Sequence, residues 1–159
     1  LAVGISDTIG KLTLRGYSDT DTRASFSNAQ IREDQATFFT TVPVFSLDFI
    51  LKENQLNQLV VLKIDVEGHE LSVLKGAREL LKMANPIILF EVLPHHNIDE
   101  KIIIANELYK FLIENNYTIY NLEQNTYKLK KVKSLIYNED NYSVTDFVAF
   151  SYNIHKELI

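Results

Sequence analysis

A run of apolar, β-branched residues that gives way within a few positions to a helical pattern constrains this chain more than any other feature. Val60, Val61, Leu62, Ile64 and Val66 make up the first part, a short run of the kind that is covered on both faces in a parallel sheet. From His69 onward the apolar period becomes helical, with Leu71, Leu74, Ala77 and Leu81 on one face. Asp65, Glu67 and Gly68 lie at the junction. Open α/β sheets bind ligands beyond the carboxyl ends of their strands, so these residues stand where chemistry usually happens.

The rest of the chain extends this pattern. Leu1 to Ser6 reads as a strand, SDTIG as a turn, and the segment from Gly10 as a half-exposed strand in which Leu12 and Leu14 alternate with Lys11, Thr13 and Arg15. Ser18 to Thr37 is polar and long for an internal loop, which makes it a candidate lid or flexible insertion. Val42 to Leu47 is extended, and Pro43 confines it to a sheet edge or a strand start. Ser46 or Asp48 can cap the helix that follows. Pro86 restarts the chain as a second apolar strand ending at Glu91, completing a strand, helix, strand crossover. Asn97 or Asp99 can cap the next helix, which runs to Asn115 and Asn116. Tyr117 to Leu122, Tyr127 to Val132 and Thr145 to Tyr152 read as strands. The expected fold class is α/β, a largely parallel sheet finishing in an antiparallel hairpin, in a single domain over residues 1–159.

Composition narrows the partners. A chain of 159 residues that is 46% hydrophobic can bury one substantial core. Its net charge of −5 argues against nucleic acid, which wants a basic face. Lys128, Lys130, Lys131 and Lys133 alternate with Leu129 and Val132, as on the solvated side of an edge strand. The chain has no cysteine, so thiolate chemistry and disulfides are excluded and a reducing, cytoplasmic setting is expected. No stretch reaches the roughly 18 apolar residues of a membrane span. The strand-like opening at Leu1 leads to the expectation that further segments of the domain precede it. Without them, the apolar strand that begins at Val60 has an edge open to pairing.

Three carboxylates carry the chemical argument. Asp65 and Glu67 share a face if the strand persists to Glu67, and two carboxylates at a strand end can orient a hydroxyl, take its proton or stabilise a cation. The competing reading is a strand end followed by a helix cap. Gly68 permits a tight turn or a close approach by a ligand. Glu91 ends the next strand, and a right-handed crossover brings it toward the same crevice; otherwise it pairs with Lys63. His95 and His96 lie in the loop just beyond, where one of them can accept a proton near neutral pH. His69, at the helix start, is expected to be exposed or capping. No HExxH-like spacing exists, so no metal site is expected.

The segment LKIDVEGHELSVLKGARELL, then NPIILFEV, with ISDTIGKLTL and VFSLDFIL upstream, resembles the FkbM-type methyltransferase family. The shared residues include Lys63, Ile64, Asp65, Glu67, Gly68, Glu70, Leu74, Gly76, Pro86 and Glu91. The resemblance implies a class I methyltransferase sheet, Rossmann-like with an antiparallel last strand, of which this chain is the C-terminal portion. It implies S-adenosyl-L-methionine as cofactor and methylation of a hydroxyl on a sugar, glycan or natural product, so the partner is a small-molecule or glycan acceptor. Asp65, Glu67, Glu91, His95 and His96 are then the catalytic candidates, and Ser6, Asp7 and Asp65 the cofactor-binding ones. The family's glycine-rich cofactor turn has no counterpart among the 5 glycines here. That departure keeps open a noncatalytic binding or scaffold module built on the same fold.

Overall fold

The computed structural model describes residues 2–27, 31–54, 59–92, 98–123, 128–136 and 145–155. Among these residues two sheets carry the fold. The smaller one holds β1 (Gly4–Ile5), β2 (Gly10–Gly16) and β3 (Phe38–Phe45) in the order β1-β3-β2. β2 pairs antiparallel with β3 from Gly10↔Val44 to Gly16↔Phe38, while β1 runs parallel to β3.

β3 is therefore the middle strand, although Pro43 favours an edge. The register explains how the proline is tolerated. Phe45 offers its carbonyl to the Ser6 N–H at 3.0 Å, so the backbone groups of Phe45, and of Pro43 two residues earlier, face β1. β1 reaches only Val44 and Phe45 on β3. The missing N–H of Pro43 falls where the ladder has already stopped, so no hydrogen bond is lost.

The polar stretch after β2 folds back on its own sheet instead of standing clear of it. Arg15 and Ser25 exchange backbone hydrogen bonds at 2.9 Å in both directions. Thr37 N–H donates to the Gly16 carbonyl at 3.1 Å, and Ile31 is buried. A lid free to swing is not what these contacts build.

α1 (Leu47–Asn54) leads to the larger sheet. Its Ser46 cap forms as expected, the hydroxyl oxygen accepting from Phe49 N–H at 3.2 Å. The larger sheet has the order β4-β5-β8-β6-β7, with β4 (Val61–Ile64), β5 (Ile87–Val92), β6 (Tyr117–Glu123), β7 (Lys128–Lys131) and β8 (Thr145–Ser151). β4 and β5 are parallel, and β8 inserts antiparallel between β5 and β6. Among the described residues β4 pairs only with β5, and Val60 and Val61 are exposed.

Register assigns the faces of this sheet. Ile64, Phe90 and Phe147 are successive cross-strand partners, as are Ile88, Ala149 and Ile119. All six are buried, and the Phe90 and Phe147 rings stack at 5.5 Å. Ala105, Leu108, Phe111 and Leu112 of α4 (Ile98–Glu114) join them in one core. At roughly 1.5–3 kcal/mol per buried large side chain, a one-residue slip that turned this set to the other face is prohibitive. Lys63, Leu89, Glu91, Asp146, Val148 and Tyr120 occupy the opposite face.

The helical stretch after β4 is two helices, α2 (Glu70–Lys75) and α3 (Arg78–Ala84), instead of one. The break comes at Gly76, where a β-carbon would collide with the Ser6 carbonyl oxygen and lie 3.1 Å from the Asp7 Cα. The glycine thus lets the end of β1 press against the crossover. Asp48 bridges the break: its N–H donates to the Gly76 carbonyl at 2.9 Å, and its carboxylate accepts from the N–H groups of Glu79 and Leu80 at 3.0 and 2.9 Å. It caps α3, a distant helix, while Ser46 caps its own. Asn85 and Asn116 end α3 and α4 in the left-handed conformation. Among the described residues no helix is long and apolar enough to cross a membrane.

Candidate functional site

The site begins where β4 stops. The strand ends at Ile64, and the chain then turns through Glu67 at φ 52° and Gly68 at φ 90°. Glycine takes such a value freely, but glutamate does so at a cost on the order of 1–2 kcal/mol. Asp65 and Glu67 are consequently not on one strand face, as simple alternation would have them. Two groups hold the turn. Glu70, buried at 6% exposure, accepts from Gly68 N–H through Oε1 at 3.0 Å. Ser25, from the polar segment after β2, donates its hydroxyl to the Glu67 carbonyl at 2.6 Å.

Burial pushes the Glu70 carboxyl above the ordinary glutamate range, against the opposing pull of backbone hydrogen bonds. The Glu67 carboxyl is also raised, first by burial and then by the charge of Asp65. Arg23 and Asp21, from the same polar segment as Ser25, act on it with opposite signs.

The carboxyl ends of β4, β5 and β6 and the start of β8 enclose a cavity of about 250 Å³. Asp65, Glu91 and Asp146 line it with Lys63, Leu89, Phe147 and Leu122. Glu91 and Asp146 are cross-strand partners. Like charges directly opposite each other weaken a ladder. The Glu91 carboxyl is raised by burial first, then by Asp65, Asp146, Glu67 and Glu70. Lys63 pairs with Asp65 at 3.1 Å and not with Glu91.

On the far side of the turn, the Ser6 hydroxyl donates to Asp7 Oδ1 at 3.1 Å. Its one proton is then committed, so the 3.0 Å contact with His69 Nε2 is a bond it accepts, which places the imidazole proton on Nε2. Burial lowers the His69 pKa, with Asp7 opposing. His69 is half-buried and bonded through its ring, and makes no side-chain cap to α2, contrary to the expected exposed or capping role. Ser6 is 1% exposed, so it reaches a ligand only through Asp7, which is exposed.

Of the residues singled out from sequence, Asp65 and Glu91 meet at the cavity. Glu67 sits on the adjoining turn without lining it, and Ser6 and Asp7 flank that turn. His95 and His96, like Asn97, lie outside the described residues. Among the described residues no three or more His, Asp or Glu are grouped to hold a metal ion. Sequence reading missed Asp146 and Ser25. Asp146 did carry a signal, an acidic residue bordering an apolar strand, but only an antiparallel strand brings its start to the carboxyl edge of its parallel neighbours. Ser25 carried none, being one serine in a polar stretch.

A family model, the methyltransferase FkbM domain, matches residues 2–129. No curated protein and no solved structure matches the chain. The family match takes in β1 through β6, the turn after β4, and both Asp65 and Glu91. By that match the chain belongs to the FkbM methyltransferase family.

Proposed function

We propose that this methyltransferase moves a methyl group from S-adenosyl-L-methionine to a hydroxyl of a sugar, glycan or natural-product acceptor, at the carboxyl edge of the larger sheet. The observation that carries this reading is the carboxylate-lined cavity where Asp65, Glu91 and Asp146 converge. We read the sheet as the class I, Rossmann-like arrangement. The parallel β4–β5 pair and the last strand running antiparallel between β5 and β6 support that. Lack of cysteine fits a reducing, cytoplasmic setting.

The donor set suits the cofactor in part. Carboxylates favour a sulfonium cation and accept from ribose hydroxyls, and Asp7 and Asp65 would hold those groups. No GxGxxG-like run exists among the chain's glycines, so no residue is assigned to the methionine portion. When bound, S-adenosylmethionine supplies an electrophilic methyl group.

The chain's own residues also act on the acceptor, Asp65 serving both ligands. Glu91, whose carboxyl is raised by burial first and then by Asp65, Asp146, Glu67 and Glu70, accepts the proton of the acceptor hydroxyl as its oxygen gains the methyl. Asp65, at the mouth and braced by Lys63, orients that hydroxyl. Glu67 adds negative potential from the turn. Leu89 and Leu122 give the cavity an apolar wall for the face of a sugar ring.

Transfer of labelled methyl groups from S-adenosylmethionine to a panel of glycans and hydroxylated natural products tests this. Glu91→Gln and Asp65→Asn are expected to lower transfer to the accepted class by roughly 10²-fold or more. Full activity in both variants would overturn the assignment of the cavity.

A further inference from the structure

The turn that carries Glu67 is held from outside the sheet by a residue with no chemistry of its own. Resting on the reading of this edge as the methyl-transfer site, we propose that Ser25 is a positioning residue: its buried hydroxyl fixes the left-handed backbone of Glu67 and so presents the Glu67 carboxylate beside Asp65.

Four observations meet here. Ser25 is 1% exposed, and its 2.6 Å bond to the Glu67 carbonyl spans 42 residues of sequence. The hydroxyl is itself oriented, because Ser27 N–H donates to it at 2.9 Å. The Ser25 backbone is pinned on both sides to Arg15 at 2.9 Å, so the hydroxyl cannot drift. The next residue, Phe26, sets its ring edge-on to His69 at 5.4 Å and rests on Gly4, where a β-carbon would stand 2.7 Å from the ring. The Ser25 hydroxyl and the Phe26 ring tie the polar segment to Glu67 and His69, on either side of Gly68, and the other contacts hold those two groups in place.

The conformation being held is one that glutamate does not adopt unaided. Gly68 supplies the second positive φ without help, and Glu70 accepts from its N–H. The Glu67 carbonyl is the part of the turn that Glu70 leaves untouched, and Ser25 takes it. If that bond is lost, Glu67 relaxes to an ordinary φ, and its carboxylate leaves the half-buried position beside Asp65, where Arg23 and Asp21 also act on it.

Carbon-detected NMR titration of the Glu67 carboxyl, in the wild type and in Ser25→Ala, Ser25→Cys and Ser25→Thr, reads this displacement. The wild-type midpoint is expected above that of an exposed glutamate. In Ser25→Ala it moves down toward the exposed value, and in Ser25→Thr, which keeps the hydroxyl, it returns. Ser25→Cys keeps the shape and weakens the donor, so it gives the same downward movement if the alanine variant does not fold. Over the same series, methyl transfer falls roughly tenfold or more with the carboxyl shift and recovers in Ser25→Thr. An unchanged Glu67 midpoint in folded Ser25→Ala or Ser25→Cys overturns the positioning role. The titration stands apart from methyl transfer, whose absence from the wild type would instead sink the function proposed above.

Discussion

Carboxylates that sit close together, partly out of water, leave a signature in how stability depends on pH, and Glu70 shows it most cleanly. Its side chain is buried and its folded-state pKa is raised, with burial the first cause. The native state therefore keeps this proton at a pH where the unfolded chain has released it, and stability falls as pH rises from the ordinary glutamate value through the raised one. Glu70→Gln removes that ionisation while keeping an oxygen to accept from Gly68 N–H. Urea unfolding at about pH 4 and about pH 7 should show the wild type losing stability relative to Glu70→Gln on going to the higher pH. A difference that stays constant would mean that Glu70 is not buried as a carboxyl. The residues around it were legible in sequence to differing degrees. Asp65 and Glu91 stand at the ends of apolar runs, where a strand end shows itself. Ser25 becomes significant only through a contact spanning 42 residues, which no local pattern encodes.

At the scale of elements, local periodicity located nearly every strand and helix, and tertiary contacts decided their ends. The apolar spacing from Leu71 to Leu81 reads as one helix, but Gly76 yields to the Ser6 backbone and splits it. Pro43 reads as an edge, but a neighbouring strand of two residues leaves its nitrogen at an edge within a middle strand. Asp48 reads as a cap for its own helix, yet its carboxylate serves α3, some 30 residues on, because α1 packs beside it. Asp48→Ala should thus cost about 0.5–2 kcal/mol in chemical denaturation. Asn in its place should recover part of that, since it keeps an acceptor at the same reach. No loss on Asp48→Ala would mean that the α3 N-terminus is satisfied by water. Register was not read from sequence: burial fixes it on β5 and β6, and β7 gives no such signal, because its four residues are all exposed.

Over the whole molecule, the turn after β4 is where the smaller sheet reaches the acidic edge of the larger one. Ser6, Ser25 and Phe26 approach it from the smaller sheet, and β5 and β8 flank its carboxylates from the larger one. The crossover and its acidic edge were readable because a parallel strand advertises itself by unbroken hydrophobicity. The second sheet was not: short pairings between distant segments have no period of their own, and an antiparallel last strand reverses which of its ends joins the site. The central claim is that this edge receives the methyl donor. Calorimetric titration of S-adenosylhomocysteine tests it most directly, into the 159-residue chain, into the longest natural reading frame that contains it, and into Asp65→Asn of whichever binds. Saturable binding that weakens about tenfold or more in Asp65→Asn, as expected for losing a charged partner of the ligand, is the predicted result. No heat of binding in either wild-type form would contradict it, leaving a sheet that kept the family's shape and carboxylates without its cofactor.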